Sequence, residues 1–220
     1  MKVVIFDFDG TIADSFDTVL GIVNRLALEF GFEPFDLDEV KRLRNLNSRE
    51  IVRQSQARIS VFRLALLLRR LKAEVSREMR RLQPIEGMRE TLWALKQRGD
   101  RLGIVTSNSN ENVNAFLEIH GLKDWFEFIY TGTTIFGKGK MLRRVLRDNA
   151  LDAATLIYVG DETRDIEAAK KTGIQVIAVS WGFNSKEILA EQHPDFLIQY
   201  PQELLTVIQS LDPISRDRVR

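Results

Sequence analysis

The chain has 220 residues, with 32 Lys and Arg, 31 Asp and Glu, and a formal net charge of +1. This length suffices for one domain with a full core, or for one domain that carries a small insertion. Because the chain has no cysteine, disulfides, thiol nucleophiles and Cys-based metal sites are excluded, and with only 2 histidines we expect no multi-histidine metal site. No segment resembles a leader or a membrane span, so we expect a cytoplasmic protein.

The first predicted element is a buried strand over residues 2–6, which runs into Asp7, Phe8, Asp9, Gly10 and Thr11. Two carboxylates at a strand end are costly to bury unless they are paired or bind a metal. In open α/β sheets, ligands bind just beyond the carboxyl ends of the strands. An acidic turn would use the same residue types. By itself, the segment fits a site and a turn equally well.

Residues 14–84 have the apolar spacing of helices, interrupted at 31–34 and ended by Pro84. Within them, residues 41–81 carry thirteen Lys or Arg against three Asp or Glu. We therefore predict that residues 14–84 form a basic, all-helical insertion, named the helical insertion.

From residue 88 onward, predicted helices and strands alternate. The predicted strands are 101–105, 126–131, 156–159, 174–179 and 196–198, and the predicted helices are 88–98, 110–120, 140–148, 165–172 and 203–211. This alternation predicts an α/β protein with a doubly wound, mostly parallel (Rossmann-like) sheet. The first strand belongs to that sheet. Residues 1–13 and 85–214 are then the core, 14–84 the inserted domain and 215–220 a flexible tail.

Polar clusters follow three further predicted elements. After strand 101–105, Thr106 and Ser107 offer hydroxyl and N–H groups to an anion, or simply cap the next helix. Lys138 stands between two glycines before a helix, where it can approach a site or remain solvated. Asp161 and Asp165 share one face at a helix start, which also suits the helix dipole.

Together these segments resemble the motifs of the haloacid dehalogenase (HAD) superfamily of phosphohydrolases. Residues 7–11 resemble its first motif, Thr106 its second, Lys138 its third and 160–165 its fourth, in the same order over essentially the whole chain. The helical insertion is similar to the small helical cap of that family. The residues after Asp161 are especially similar to the phosphoglycolate phosphatase-like group.

The resemblance implies a phosphatase that hydrolyses a small phosphate monoester through an aspartyl-phosphate. It implies that Asp7 is the nucleophile and that Asp9 first protonates the leaving group and then activates water. It implies that Lys138 neutralises developing charge. The residues implied to bind phosphate are Gly10, Thr11, Thr106, Ser107 and Lys138.

The resemblance also implies one Mg²⁺, held by Asp7, the Asp9 carbonyl and Asp161. Asp165 would support the metal or orient Lys138.

Two pairs of neighbouring residues compete for the phosphate site. We favour Thr106 over Ser107 because Thr106 directly ends the strand. We favour Lys138 over Lys140 because the helical pattern from Leu142 starts at the usual distance after it.

Three other functions compete with a phosphatase. Residues 132–139 nearly match the nucleotide-binding pattern GxxxxGK[ST], but residue 139 is Gly where a hydroxyl should bind Mg²⁺. A sugar-phosphate mutase on the same scaffold would also use a phosphorylated aspartate. A non-catalytic protein that binds a partner through its basic insertion would usually lack Asp7 or Asp9.

The basic insertion favours a small anionic substrate, for which phosphoglycolate is the group's namesake. Arg44 or Arg49 is predicted to contact a carboxylate or second phosphate, and most other basic residues are expected on solvated helix faces. Phe62 is the one aromatic residue within the basic segment 41–81, which is too little for base stacking, so we expect no nucleic acid partner. We also expect no membrane partner. A monomer and a homodimer both remain open.

Overall fold

The computed structural model describes residues 1–47, 49–51, 53–54, 60–132 and 137–211. Within these residues, six strands form one sheet: β1 (Val3–Phe6), β2 (Arg101–Val105), β3 (Phe126–Tyr130), β4 (Leu156–Gly160), β5 (Gln175–Val179) and β6 (Phe196–Ile198). The strand order is β3-β2-β1-β4-β5-β6, and every neighbouring pair is parallel. The predicted α/β fold with a parallel sheet is confirmed, and β1 lies at its centre.

The helical insertion contains α1 (Phe16–Phe30), α2 (Leu37–Arg44) and α3 (Val61–Glu78). Ile22, Leu26 and Phe30 of α1 pack with Leu67 of α3 in a small apolar cluster. No helix in the described part of the chain is both long and apolar enough to cross a bilayer.

The chain enters and leaves the helical insertion through adjacent segments. The N–H of Asp14 donates to the carbonyl of Gln83 at 2.9 Å, and the N–H of Ile85 donates to the carbonyl of Ile12 at 2.8 Å. This pairing supports boundaries near residues 13 and 85, while the division into domains stays a prediction.

The remaining helices cover the two faces of the sheet: α4 (Met88–Gln97), α5 (Asn110–Ile119), α6 (Lys138–Asp148), α7 (Thr163–Lys170), α8 (Lys186–Glu191) and α9 (Glu203–Ser210). Val4 and Phe6 pack on the face of α4, α5 and α9, whereas Val3 and Ile5 pack on the face of α6, α7 and α8. Because side chains alternate along a strand, β1 is buried on both faces, as a central parallel strand should be.

Helix boundaries differ from the predictions where helices start near the sheet edge. α6 begins at Lys138 rather than 140, and α7 at Thr163 rather than 165. The first residues of both helices are polar. The apolar spacing that predicts these helices therefore begins after the observed first residue. The short helix α8 was not predicted. Residue 48 and the predicted tail at 215–220 lie outside the described residues.

Candidate active site

Polar side chains follow three neighbouring strands at one edge of the sheet. Asp7 follows β1, Thr106 follows β2 and Asp161 follows β4, and all three are buried. Because parallel strands end at the same edge, residues distant in sequence meet there.

Lys138 is buried at the start of α6 and contacts two of the acids. Its Nζ lies 2.7 Å from Oδ2 of Asp7 and also contacts Oδ1 of Asp165. Burial opposes the charge on Lys138, but the carboxylates of Asp165 and Asp7 outweigh it and raise its pKa. Lys140 is exposed. Lys138, and not Lys140, therefore lies among the predicted site residues.

The nucleotide-binding pattern at 132–139 depends on the same lysine. Residues 133–136 lie outside the described residues, but Lys138 is engaged by Asp7 and Asp165. This geometry gives the rival pattern no support.

Asp7, Asp161 and Asp165 form a group with the donor atoms for a metal ion. One carboxylate oxygen from each lies within 4.8 Å of the others. Burial raises the pKa of Asp165 to about 6, against the opposing effect of the Lys138 charge. Three buried carboxylates beside one ammonium leave excess negative charge, which a divalent cation with oxygen ligands would offset.

Asp161 is held by neutral donors. The Thr11 hydroxyl donates to its Oδ1 at 2.7 Å, and the Phe183 N–H donates to its Oδ2 at 2.7 Å. Burial, followed by the charges of Glu162 and Asp7, raises the pKa of Asp161 well above its ordinary range. Thr11, predicted to bind phosphate, thus bonds a carboxylate here.

Glycines let the backbone approach Asp161 closely. At Gly10, where φ is +72°, a Cβ would overlap Oδ2 of Asp161 and the ring of Phe183. At Gly182, a Cβ would overlap the same carboxylate. The Gly10 N–H donates to the Ser15 hydroxyl at 3.1 Å. A larger residue at either glycine would displace the carboxylate.

The Asp9 side chain lies outside this group of carboxylates and bonds Asn108. Nδ2 of Asn108 donates to Oδ1 and Oδ2 of Asp9 at 3.1 and 3.0 Å. Burial and then the charge of Asp7 raise the pKa of Asp9 to about 7, although the Asn108 hydrogen bond opposes this. A carboxyl with this pKa can hold and release a proton near neutral pH.

Sequence reasoning assigned no role to Asn108. It stands two residues after Thr106, and its N–H donates to the Thr106 hydroxyl oxygen at 3.1 Å. Ser107, between them, is half-buried. The sequence feature that could have identified Asn108 as a site residue is its position in the same polar segment after β2.

Arg164 is a second residue without a predicted role. Its guanidinium is 2.6 Å from Oε1 of Glu162, and both side chains are largely buried. The charge of Arg164 acts to lower the pKa of Asp9 and of Asp165, which places a further cation near the site.

The helical insertion is bonded to the loop 181–185, which comes after β5. Nδ2 of Asn184 donates to the carbonyls of Arg44 and Leu46, at 3.1 Å each. Oδ1 of Asn184 accepts from the N–H of Thr163 at 2.9 Å, and its own N–H donates to the carbonyl of Asp161 at 3.3 Å. One buried side chain thus joins the insertion to the segment that carries Asp161.

Both arginines predicted to contact substrate lie on this junction. The Arg44 guanidinium donates to the Gly182 carbonyl at 2.8 Å and stands 4.9 Å from the centre of the Phe16 ring. Arg49 pairs with Glu167 at 2.9 Å. A contact between either arginine and substrate stays a prediction.

Comparisons with known proteins show the family of the chain. The chain matches the family model described as haloacid dehalogenase-like hydrolase over residues 4–179. It is 39% identical over 211 residues to the phosphoglycolate phosphatase of Synechococcus elongatus, with 96% of this chain and 99% of the relative covered. The phosphoglycolate phosphatase of Aquifex aeolicus is 26% identical over 219 residues, with 96% and 98% covered.

Solved structures are similar in fold. A haloacid dehalogenase-like family hydrolase from Streptococcus pneumoniae has a TM-score of 0.80 at 21% identity, with 95% of this chain and 99% of that chain covered. A Thermotoga maritima protein provisionally named a β-phosphoglucomutase has a TM-score of 0.68 at 24% identity, with 96% and 99% covered.

Proposed function

This chain belongs to the haloacid dehalogenase-like hydrolase family and is a phosphohydrolase; from that premise we propose that it is a Mg²⁺-dependent phosphatase that forms a phosphoenzyme on Asp7. The observation that carries the proposal is the buried ammonium of Lys138, 2.7 Å from Oδ2 of Asp7. A cation at that distance offsets the negative charge that gathers when a carboxylate approaches a phosphate.

In the first step, an oxygen of Asp7 attacks phosphorus and forms an acyl phosphate. The bond from phosphorus to the substrate oxygen breaks, and its electron pair stays on that oxygen. Asp9 gives its proton to this oxygen, so an alcohol leaves. The raised pKa of Asp9, about 7, allows part of the protein to hold that proton near neutral pH.

In the second step, a water oxygen attacks phosphorus while Asp9 takes a proton from the water. The bond between phosphorus and the Asp7 oxygen breaks, which restores the Asp7 carboxylate and releases inorganic phosphate. Thr106 and Lys138 would bind phosphate oxygens in both steps, since both are buried at the sheet edge beside Asp7.

The metal would be held by Asp7 and Asp161, with Asp165 as a third oxygen donor or as the partner that orients Lys138. Their oxygens lie within 4.8 Å of one another. Bound there, Mg²⁺ would offset the charge of the phosphate and of Asp7 as they approach.

We propose that phosphoglycolate, or another small anionic phosphate monoester, is the substrate. The support is the name of the Synechococcus relative and the basic helical insertion, which Asn184 joins to the segment carrying Asp161. Acting as a cap, the insertion would exclude water and select the substrate.

The test is a panel of phosphorylated metabolites with Mg²⁺, scored by kcat/KM and by the identity of the product. Release of free phosphate supports the phosphatase. An isomerised sugar phosphate without free phosphate would identify the mutase instead. No reaction with any ester would favour a non-catalytic binding protein.

Asp7→Asn should abolish hydrolysis of p-nitrophenyl phosphate, because an amide oxygen is a far weaker nucleophile than a carboxylate. The fold should persist, since removing one of three crowded carboxylates relieves repulsion. Asp14→Asn, at an exposed aspartate nearby, is the matched control and should keep wild-type activity. Full activity in Asp7→Asn would exclude the mechanism.

A further inference from the structure

A line of hydrogen bonds runs from the helical insertion to Asp9. The Ser76 hydroxyl on α3 donates to Oδ1 of Asn112 at 2.7 Å. Nδ2 of Asn112 donates to Oδ1 of Asn108 at 2.8 Å, and Nδ2 of Asn108 donates to both Asp9 oxygens. Every donor in the line points towards the carboxylate, an arrangement in which each bond polarises and strengthens the next.

This line fixes which end of the Asn108 amide faces Asp9. Oδ1 of Asn108 accepts from Nδ2 of Asn112 and from the N–H of Ser109, the latter at 2.8 Å. If the amide turned over, its oxygen would face the carboxylate and its NH₂ would face two donors. Asn112 is itself only 8% exposed, so its amide depends on protein partners.

The outermost bond crosses between two parts of the fold. Ser76 belongs to the helical insertion, whereas Asn112 lies in the first turns of α5, on the core. The position of α3 on the core therefore determines whether Asn112 is held at its outer end.

On the basis of the proposed phosphatase function, we propose that Asn112 and Ser76 are positioning residues for Asp9, acting through Asn108. Seating of α3 against α5 completes the line and aims the Asp9 carboxyl at the oxygen of the leaving group. The insertion thus assists proton transfer from a distance, in addition to covering the site.

The dependence of rate on the leaving group separates this role from a merely structural one. An alkyl phosphate needs a proton on its departing oxygen, whereas 2,4-dinitrophenolate leaves without one. A misaimed Asp9 should therefore slow the alkyl ester selectively in kcat/KM, which reports the steps up to departure of the leaving group.

The experiment compares wild type and Asn112→Ala on 2,4-dinitrophenyl phosphate and on the alkyl phosphate that wild type hydrolyses fastest. We expect kcat/KM for the alkyl ester to fall about tenfold or more, and for the dinitrophenyl ester to fall less than about threefold. Equal losses on both esters, or no loss on either, would overturn the positioning role.

Asn114→Ala is the matched control, since it makes the same change on the same helix. Asn114 is half-buried, and its Nδ2 donates to the carbonyl and the side-chain oxygen of Asn110 at 2.8 and 2.9 Å, away from the line to Asp9. This variant should hydrolyse both esters at wild-type rates.

Ser76→Ala removes only the outermost donor, so it tests the line even if Asn112→Ala folds poorly. We expect a smaller loss of about threefold, again selective for the alkyl ester, and wild-type rates in Ser76→Thr, which keeps the hydroxyl. Equal effects of Ser76→Ala on both esters would contradict the proposal.

The activity of wild type separates the two proposals. If wild type released phosphate from neither ester, the phosphatase function itself would fail. If wild type hydrolysed both esters, the variants would test only the positioning role.

Discussion

Lys138 is the residue on which the charges of the site converge. It is buried against Asp7 and Asp165, and its pKa is raised by them in spite of burial. A buried ion pair that loses one partner leaves an uncompensated charge, and such losses cost more than the pair contributes by itself. We therefore expect Lys138 to affect both stability and reaction.

Lys138→Met should lower the free energy of unfolding by about 3 kcal/mol and reduce kcat by about 10²-fold or more. The physical reason is that Asp7 and Asp165 lose their shared cation while the aliphatic bulk stays. Urea unfolding and steady-state kinetics would measure the two effects.

Lys140→Met is the control for this substitution. Lys140 is exposed on the same helix, so the free energy of unfolding of Lys140→Met should differ from that of wild type by less than about 0.5 kcal/mol. A larger loss of activity in Lys140→Met than in Lys138→Met would reverse our assignment of the two lysines.

Among the structural elements, the short loop 181–185 makes hydrogen bonds to three separate parts of the chain. It supplies the Phe183 N–H to Asp161, and through Asn184 it holds both the start of α7 and the segment 44–46 of the helical insertion. The insertion and the candidate metal ligand are therefore fastened to the same short piece of backbone.

Asn184→Asp should loosen the insertion without unfolding the core. Aspartate keeps an acceptor for the Thr163 N–H but loses the two donors to the carbonyls of Arg44 and Leu46. The Leu46 carbonyl then loses this donor and the Arg44 carbonyl keeps only the Ser185 N–H, at 2.9 Å, which should cost about 1–3 kcal/mol in attachment of the insertion. Hydrogen exchange should then be faster in residues 44–46, and KM for substrate should rise.

Asn24→Asp provides the comparison within the insertion. Asn24 bonds the carbonyl and N–H of Phe35, at 3.0 and 2.8 Å, and this substitution also removes only the donor. It should leave exchange in 44–46 unchanged. Equal increases in hydrogen exchange of residues 44–46 in both variants would show that Asn184 does not specifically attach the insertion to the core.

Elements defined by a local pattern could be predicted well from the sequence. Strands 101–105 and 196–198 agree with β2 and β6, because buried apolar runs bounded by turn residues define a strand. The proximity of Asp7, Thr106 and Asp161 could also be predicted from the sequence, because parallel strands end at the same edge of the sheet.

Contacts between the insertion and the core could not be predicted in the same way. Ser76 and Asn112 are 36 residues apart, and the hydrogen-bonded pair Asn184 and Arg44 is 140 apart. Their bonds depend on how two separately packed units are oriented, which no local period encodes. Asn108 was missed for a related reason: an asparagine after a strand is equally typical of a helix cap.

For the whole molecule, the balance of charge is uneven. The net charge is +1, and the helical insertion is basic, yet the sheet edge holds buried carboxylates with raised pKa values at Asp161 and Asp165. An acid whose pKa is raised by folding destabilises the folded state at neutral pH. A bound cation would reverse that penalty.

Mg²⁺ should therefore raise the melting temperature of wild type. At 100 times its dissociation constant, it should add about 2.7 kcal/mol, which is about 5–10 °C for a chain of this size. Asp161→Asn should lose most of this shift, yet without Mg²⁺ it should melt no lower than wild type because one buried charge is gone. Differential scanning calorimetry with and without Mg²⁺ measures both.

Asp148→Asn, at a carboxylate paired with Arg144 outside the site, should keep the full shift. An unchanged shift in Asp161→Asn would remove Asp161 from the metal site.

The central place of β1 determines when this site can form during folding. Val3 pairs with Arg101 on one side and with Leu156 on the other, so both neighbours of β1 are reached only by closing very long loops. Such closures are entropically costly and slow, whereas α1 and α3 can pack within the insertion alone. We therefore expect α1 and α3 to gain structure early and the sheet late. Asp7 should therefore meet Lys138 and Asp161 only in the step that completes the sheet, so a partly folded chain would lack the candidate active site.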